Sequence, residues 1–204
     1  MRERASERSR DLYSVSMTVV MDETTALEVA LDASSSPKQL MGIARLPYPQ
    51  VRAVLARHPQ ANSSVLALLI DDKSLWSALA GHEACGASTL GFLANRRDDL
   101  ALAVARNARC PRALLAHLAT HANPLIRGAV ARHPRTPGVI LGWLKEDSDA
   151  SVRASLLEHP ALTYHTLLEL TVDRSSMVAD RALERLALKS PEASDAIRRV
   201  PISR

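Results

Sequence analysis

The residues of this chain with the means to do chemistry recur in register. Ala-Arg-His-Pro stands at residues 56–59 and again at 131–134, and Leu-Glu-His-Pro at 157–160. His82 and Asn107 fall at the intervening positions, so the imidazoles form a series one repeat apart. A zinc site needs ligands about 2 Å from one ion, whereas neighbouring stacked helices lie about 8–10 Å apart. The histidines are therefore expected not to hold a metal but to close helix C-termini, where a partial or full positive charge suits the dipole. Cys85 and Cys110 each follow an anchor by three residues. Equivalent positions on stacked helices are too far apart for a disulfide, so two reduced, half-buried or buried thiols are expected.

Arginine is the other candidate. Arg52, Arg127 and Arg153 lie six before their anchors, and Arg57, Arg106 and Arg132 lie one before. At 100° per residue these columns point about 140° apart. The first is expected to pack its stems on a neighbouring repeat, with the guanidinium on carbonyls or water. The second points away from the apolar stripe and is the better candidate for a partner. With Arg109, Arg112 and Arg135 it completes a candidate binding set of Arg57, Arg106, Arg109, Arg112, Arg132 and Arg135. Between residues 96 and 135 eight arginines face only Asp98 and Asp99, whereas between 145 and 173 six acids face two bases. A basic middle beside an acidic segment suits a polyanion or self-association.

These residues must be positioned by a repeated element. Anchors fall at His58, His82, Asn107, His133 and His159, with Arg185 as a degraded copy, at steps of 24, 25, 26, 26 and 26 residues. An aliphatic stands seven before each: Val51, Leu75, Leu100, Ile126, Val152 and Val178. Leucine follows the first five by eleven, at Leu69, Leu93, Leu118, Leu144 and Leu170, and alanine usually precedes by two. Periods of this size mark a repeat array. Each unit reads as two helices. Asp72, Asn123, Asp149 and Ser175 are placed to cap the first, and His-Pro is expected to stop it, because the residue before proline avoids the α region. A second helix opens at Ser-Pro, Thr-Pro or Cys-Pro, at Pro37, Pro137 and Pro111. Such short helices are marginal alone and gain stability by stacking.

The columns Val-Arg-x-x-Val-Ala-Arg-His-Pro-x-Thr-Pro-x-x-x-Leu-x-x-Leu resemble the leucine-rich repeat variant family, a bacterial group of short α-helical repeats. Residues 126–144 carry the likeness best, 51–69 and 152–170 well, and the copies at Leu75 and Leu100 loosely. The resemblance spans residues 24–189 and implies a right-handed α-solenoid in which an α-helix alternates with a shorter helix, α or 3₁₀. Some members carry an N-terminal cysteine cluster for an iron–sulfur centre. No cysteine precedes Cys85 here, so no cofactor is carried over.

Composition agrees with an all-α fold. Of 204 residues 47% are hydrophobic but only 3% aromatic, so the core is built from Leu, Ala and Val, a helical palette. The expected organisation is a disordered basic tail over residues 1–21, a solenoid of six to seven repeats over 22–190, and a C-terminal tail over 191–204. Met17 and Met21 are alternative starts. The longest apolar run, residues 65–70, is far short of a membrane span, and a cytoplasmic location with no membrane partner is expected. No Gly-rich phosphate loop, GxSxG, HExxH or CxxC occurs. Trp76 and Trp143 read as core or groove residues. The expected function is a non-enzymatic scaffold for a protein or peptide, with nucleic acid bound by the arginine-rich middle as the alternative. Self-association is also open. A base-excising enzyme is disfavoured by the scarcity of aromatic side chains for stacking.

Overall fold

The computed structural model describes residues 21–189, so the expected tails lie outside the described residues except at Met21. Thirteen α-helices and no strand occur among these residues. Seven first helices are α1 (Glu23–Leu31), α3 (Pro49–Leu55), α5 (Trp76–Gly81), α7 (Asp98–Arg106), α9 (Pro124–Arg132), α11 (Ala150–Leu156) and α13 (Ser176–Lys189). Six second helices alternate with them: α2 (Pro37–Ile43), α4 (Ser63–Ala67), α6 (Ala87–Ala94), α8 (Arg112–Leu118), α10 (Gly138–Lys145) and α12 (Tyr164–Leu170). The first helices stack α1 on α3, α5 on α7, α7 on α9, α9 on α11 and α11 on α13. Each of α6, α10 and α12 packs on the first helix that follows it.

The periodic columns are the core. Every aliphatic at seven before an anchor is buried, as are all five leucines at eleven after and Ala56, Ala80, Ala105 and Ala131 at two before. Alanine at that position lets first helices approach closely. At α9 the approach is closer still: a Cβ on Gly128 would lie 3.0 Å from Ser155 Oγ on α11. Capping follows the expected residues, since Asp72, Asn123 and Asp149 each accept a backbone N–H from two residues on. A 3₁₀ turn at Lys73–Leu75 leads into α5. The second helices are α-helical. Those opened by Pro111 and Pro137 begin one residue later than expected, because the proline is itself the extended cap.

Proline is not required to end the first helices. Glu83 and Ala108 follow the anchors His82 and Asn107, yet α5 and α7 stop there as α9 stops at His133. The anchors share an extended backbone, with ψ of 129°, 119° and 125°. What they have in common is a side chain that accepts from the N–H two residues ahead. His58, His82, His133 and His159 do so through Nδ1, to Gln60, Ala84, Arg135 and Ala161, at 3.0–3.1 Å. Asn107 does so through Oδ1, to Arg109, at 2.9 Å. No described residue has a positive φ, so this bond replaces the glycine cap that usually closes a helix.

The other end of each anchor reaches back one repeat. The Nε2–H of His58 donates to the Asp32 carbonyl, that of His82 to His58, that of His133 to Asn107 and that of His159 to His133, at 2.9–3.1 Å. Asn107 Nδ2 donates to the His82 carbonyl at 3.0 Å and to Ala80 at 2.7 Å. Arg185 closes the series on the His159 carbonyl at 2.9 Å. Each rung's carbonyl also accepts the N–H three residues ahead, so both lone pairs are used. Asp32 is therefore a rung that sequence columns missed. It has only acceptors, takes the Ser34 N–H in the usual way, and stands where no earlier carbonyl calls for a donor. Arg185 has only donors, and α13 runs on through it without a turn to cap.

Candidate functional site

Two edges, at the N-terminal and C-terminal ends of the first helices, carry the candidate polar side chains and lie about 13 Å apart for a nine-residue helix. Near the N-terminal ends of the first helices, the column six before the anchors grips its neighbours. Arg127 Nε and Nη2 hold both oxygens of Asp147 at 2.7 and 2.9 Å, and Arg153 holds Asp173 in the same way at 2.8 Å on both arms. Their Nη1 atoms donate to the carbonyls of His121 and Asp147, six residues back. Trp76 occupies the same column and sends its indole N–H to Ile70, also six back, at 2.7 Å. Arg52 bonds Ala44 and Leu68 carbonyls. The carboxylates are locked in turn: Asp147 and Asp173 accept the N–H of Asp149 and Ser175. Where the column holds Ala101, the acid's place is taken by His121, which accepts the Asn123 N–H instead.

The electrostatics follow from this closure. Desolvation acts to raise the pKa of Asp147, but the Arg127 bond and the Asp149 N–H outweigh it and hold the carboxyl below its ordinary range. Asp173 is lowered chiefly by its bond to Arg153, against a desolvation cost. These arginines are consumed by the fold. The signal was in the sequence as an aspartate twenty residues after each arginine, at 127/147 and 153/173.

The second edge is formed by the anchor turns, and the six candidate arginines all lie there. Arg57, Arg106 and Arg132 precede the anchors, Arg109 and Arg135 follow them by two, and Arg112 opens α8; all six are exposed. Arg132 is engaged, with Nε 2.8 Å from Glu158 on the next repeat. Arg57 bonds the Ala53 carbonyl within its own helix. Elsewhere in the basic middle, Arg97 pairs with Asp99 and Arg96 lies over the Phe92 ring. Of the eight arginines between 96 and 135, Arg106, Arg109, Arg112 and Arg135 have neither an ion pair nor an aromatic partner among the described residues. All four are on the turn edge. Arg109 and Arg135 together line a groove of about 720 Å³, whose floor includes Asn62 and Ser63, Gly86 and Ala87, and Pro111. No carboxylate lines it.

The acidic segment turns out to serve its neighbours. Asp147, Glu158, Glu169 and Asp173 pair with Arg127, Arg132, Lys145 and Arg153, each acid reaching back 20–26 residues to its base. At His133 and His159 the ring is held towards its neutral form, against the expected partial or full positive charge. With Nδ1 facing a backbone N–H and Nε2 facing a carbonyl, only the Nε2–H tautomer satisfies both. Desolvation lowers the pKa of His133 and of His159, outweighing their carbonyl bonds.

Cys85 and Cys110 are free and buried, and burial pushes both thiols up to about 11. Trp76 is half-buried, but Trp143 departs from the expected core role: it is 59% exposed, one turn from Val139 on α10. Among the described residues no group of three or more His, Cys, Asp or Glu side chains converges as a metal site. No described helix is long and apolar enough to cross a membrane. No family model, curated protein or solved structure matches this chain.

Proposed function

We propose that this chain is a non-enzymatic α-solenoid scaffold, right-handed and of the leucine-rich repeat variant kind, that binds a protein or peptide along its turn edge. Six to seven two-helix units of 24–26 residues make up the array. The first helices stacked in chain order and the ladder of anchor bonds at those same steps support the repeat reading. The observation that carries the function is the division of the arginines: one edge is closed on its own carboxylates, while Arg106, Arg109, Arg112 and Arg135 are left exposed on the other. Repeat arrays of this sort offer long contact faces. A protein partner is favoured over nucleic acid because large apolar side chains are exposed as well as charged ones. Val139, Trp143 and Tyr164 stand on the second helices of two successive units, and contacts of that type join proteins.

The test is a titration of a labelled random-sequence duplex of about 20 base pairs, by fluorescence anisotropy at low and at physiological salt. Little binding is expected at physiological salt. Tight binding with an affinity that falls steeply with salt would assign the turn edge to nucleic acid and overturn the scaffold reading.

A further inference from the structure

We propose that the groove closed by Arg109 and Arg135 seats an extended acidic segment of the partner protein, with carboxylates three residues apart bound on two adjacent rungs. The proposal rests on the scaffold reading and names the chemistry of what it holds. Both side chains line the same groove, both follow an anchor by two residues, and neither has a carboxylate partner among the described residues. Their rungs, Asn107 and His133, are adjacent in the ladder, which separates them by about 8–10 Å. A segment in the polyproline-II conformation repeats every three residues and advances about 3.1 Å per residue, so side chains three apart lie on one face, about 9 Å from each other. A Glu-x-x-Glu spacing matches the two guanidinium groups.

The same edge already contains a carboxylate docked in this manner. Glu158 lies 2.8 Å from Arg132, one rung on. The residue that stands to Arg106 as Glu158 stands to Arg132 is Arg132 itself, so Arg106 has a like charge where its neighbour has an acid. An acidic ligand along Arg106, Arg109 and Arg135 extends the chain's own pairing to the arginines it leaves without one.

The length of the basic stretch argues against a nucleic-acid duplex. Glu83 is exposed beside the His82 rung and Glu158 beside the His159 rung. Three rung steps separate them, about 24–30 Å, and the uncompensated arginines lie inside that interval. A duplex laid along the edge would bring further phosphates against both glutamates. A segment of seven or so residues in the polyproline-II conformation, about 22 Å long, fits between them.

The experiment uses the full chain and a fluorescein-labelled Glu-Ser-Ser-Glu-Ser-Ser-Glu peptide, titrated by anisotropy at about 50 mM and about 150 mM salt, with a Gln-for-Glu peptide and a duplex of about 20 base pairs alongside. The glutamate peptide is expected to bind about tenfold more tightly than the glutamine peptide, and less tightly as salt screens the charges. The Arg109→Ala/Arg135→Ala protein is expected to lose about tenfold, with its circular dichroism unchanged because both side chains are exposed. Lys73→Ala, an exposed cation at the opposite edge and outside the candidate binding set, is expected to stay within about twofold. Equal affinity for the two peptides, no binding of the glutamate peptide at the lower salt, or an unaltered double variant overturns the groove assignment and leaves the scaffold reading standing. A duplex bound more tightly than the peptide, and released by the same two substitutions, overturns both.

Discussion

A histidine at a helix end is easily read as a cation on the dipole or a metal ligand. Here its two ring nitrogens do different work at once, closing a turn and joining two repeats. Asn107 makes the requirement explicit, since its amide offers an acceptor and a donor in the same relation and fills the rung between His82 and His133. Buried groups left without a partner cost about 1–3 kcal/mol each. His133→Asn is accordingly expected to change stability by less than about 1 kcal/mol, while His133→Ala, which orphans the Arg135 N–H and one lone pair of Asn107, costs about 2 kcal/mol or more. Urea unfolding of the two variants distinguishes them, and equal losses would mean that packing rather than hydrogen bonding selects the anchor. That the anchors share one chemistry was invisible in the string of letters, because Asn107, Asp32 and Arg185 look like decay of a histidine column. They are substitutions that keep the required donor or acceptor and drop the one not needed.

Helix ends and helix contacts set the next scale. The caps at Asp72, Asn123 and Asp149 and the buried aliphatic columns were legible directly, because each depends on neighbours within a turn or two. The joints between elements were not. The Arg153–Asp173 pair ties α11 to the turn before α13, with side chains 4% and 6% exposed. Removing one member of such a pair strands the other charge, at a cost of about 3–5 kcal/mol, whereas an apolar replacement of both is often near neutral. Arg153→Met is thus expected to destabilise by about 3 kcal/mol, and Arg153→Met/Asp173→Leu to recover most of that loss in the same denaturation assay. A double variant as weak as the single would show that the carbonyl bonds from Arg153, not the ion pair, carry the joint. In the two units between Arg52 and Arg127 the column has no arginine, and the replacements are coordinated: Trp76 keeps the carbonyl bond, and Ala101 is matched by His121 in place of an acid.

Across the whole molecule, two rung imidazoles held towards their neutral form make stability depend on pH in a defined direction. His133 and His159 have folded-state pKa values below the ordinary 6.5. Above 6.5 both folded and unfolded chains carry them neutral, and the stabilisation is complete. As pH falls below 6.5 the unfolded chain takes up protons that the fold resists, so stability declines until the folded pKa values are passed. A second decline sets in below about 3.8, as Asp147 and Asp173, lowered in the fold, are protonated first in the unfolded chain. Thermal midpoints measured from pH 8 to pH 3 should be flat at the top, fall from about 6.5, and fall again near the carboxylate range. A profile level from pH 8 to pH 4.5 would contradict the lowered pKa of His133 and His159. Because the rungs join every unit to the one before, the loss is expected to be shared along the array rather than confined to an end.

From its letters alone this chain determined its helices, their period, their caps and the side chains of its core. Those features depend on local hydrogen bonds and on a repeating apolar face, and both are written in short-range spacing. The six candidate arginines were also legible as an outward column. Which of them are free to meet a partner was decided only by tertiary structure. Arg132 meets Glu158 and Arg127 meets Asp147 across 26 and 20 residues, and those separations mark a pair only once the stacking of one repeat on the next is known. The lowered pKa of His133 and His159 was settled in the same way, since burial outweighs the bond each makes to a carbonyl 26 positions earlier. A proton on a buried ring follows the groups packed against it, and those are chosen by stacking.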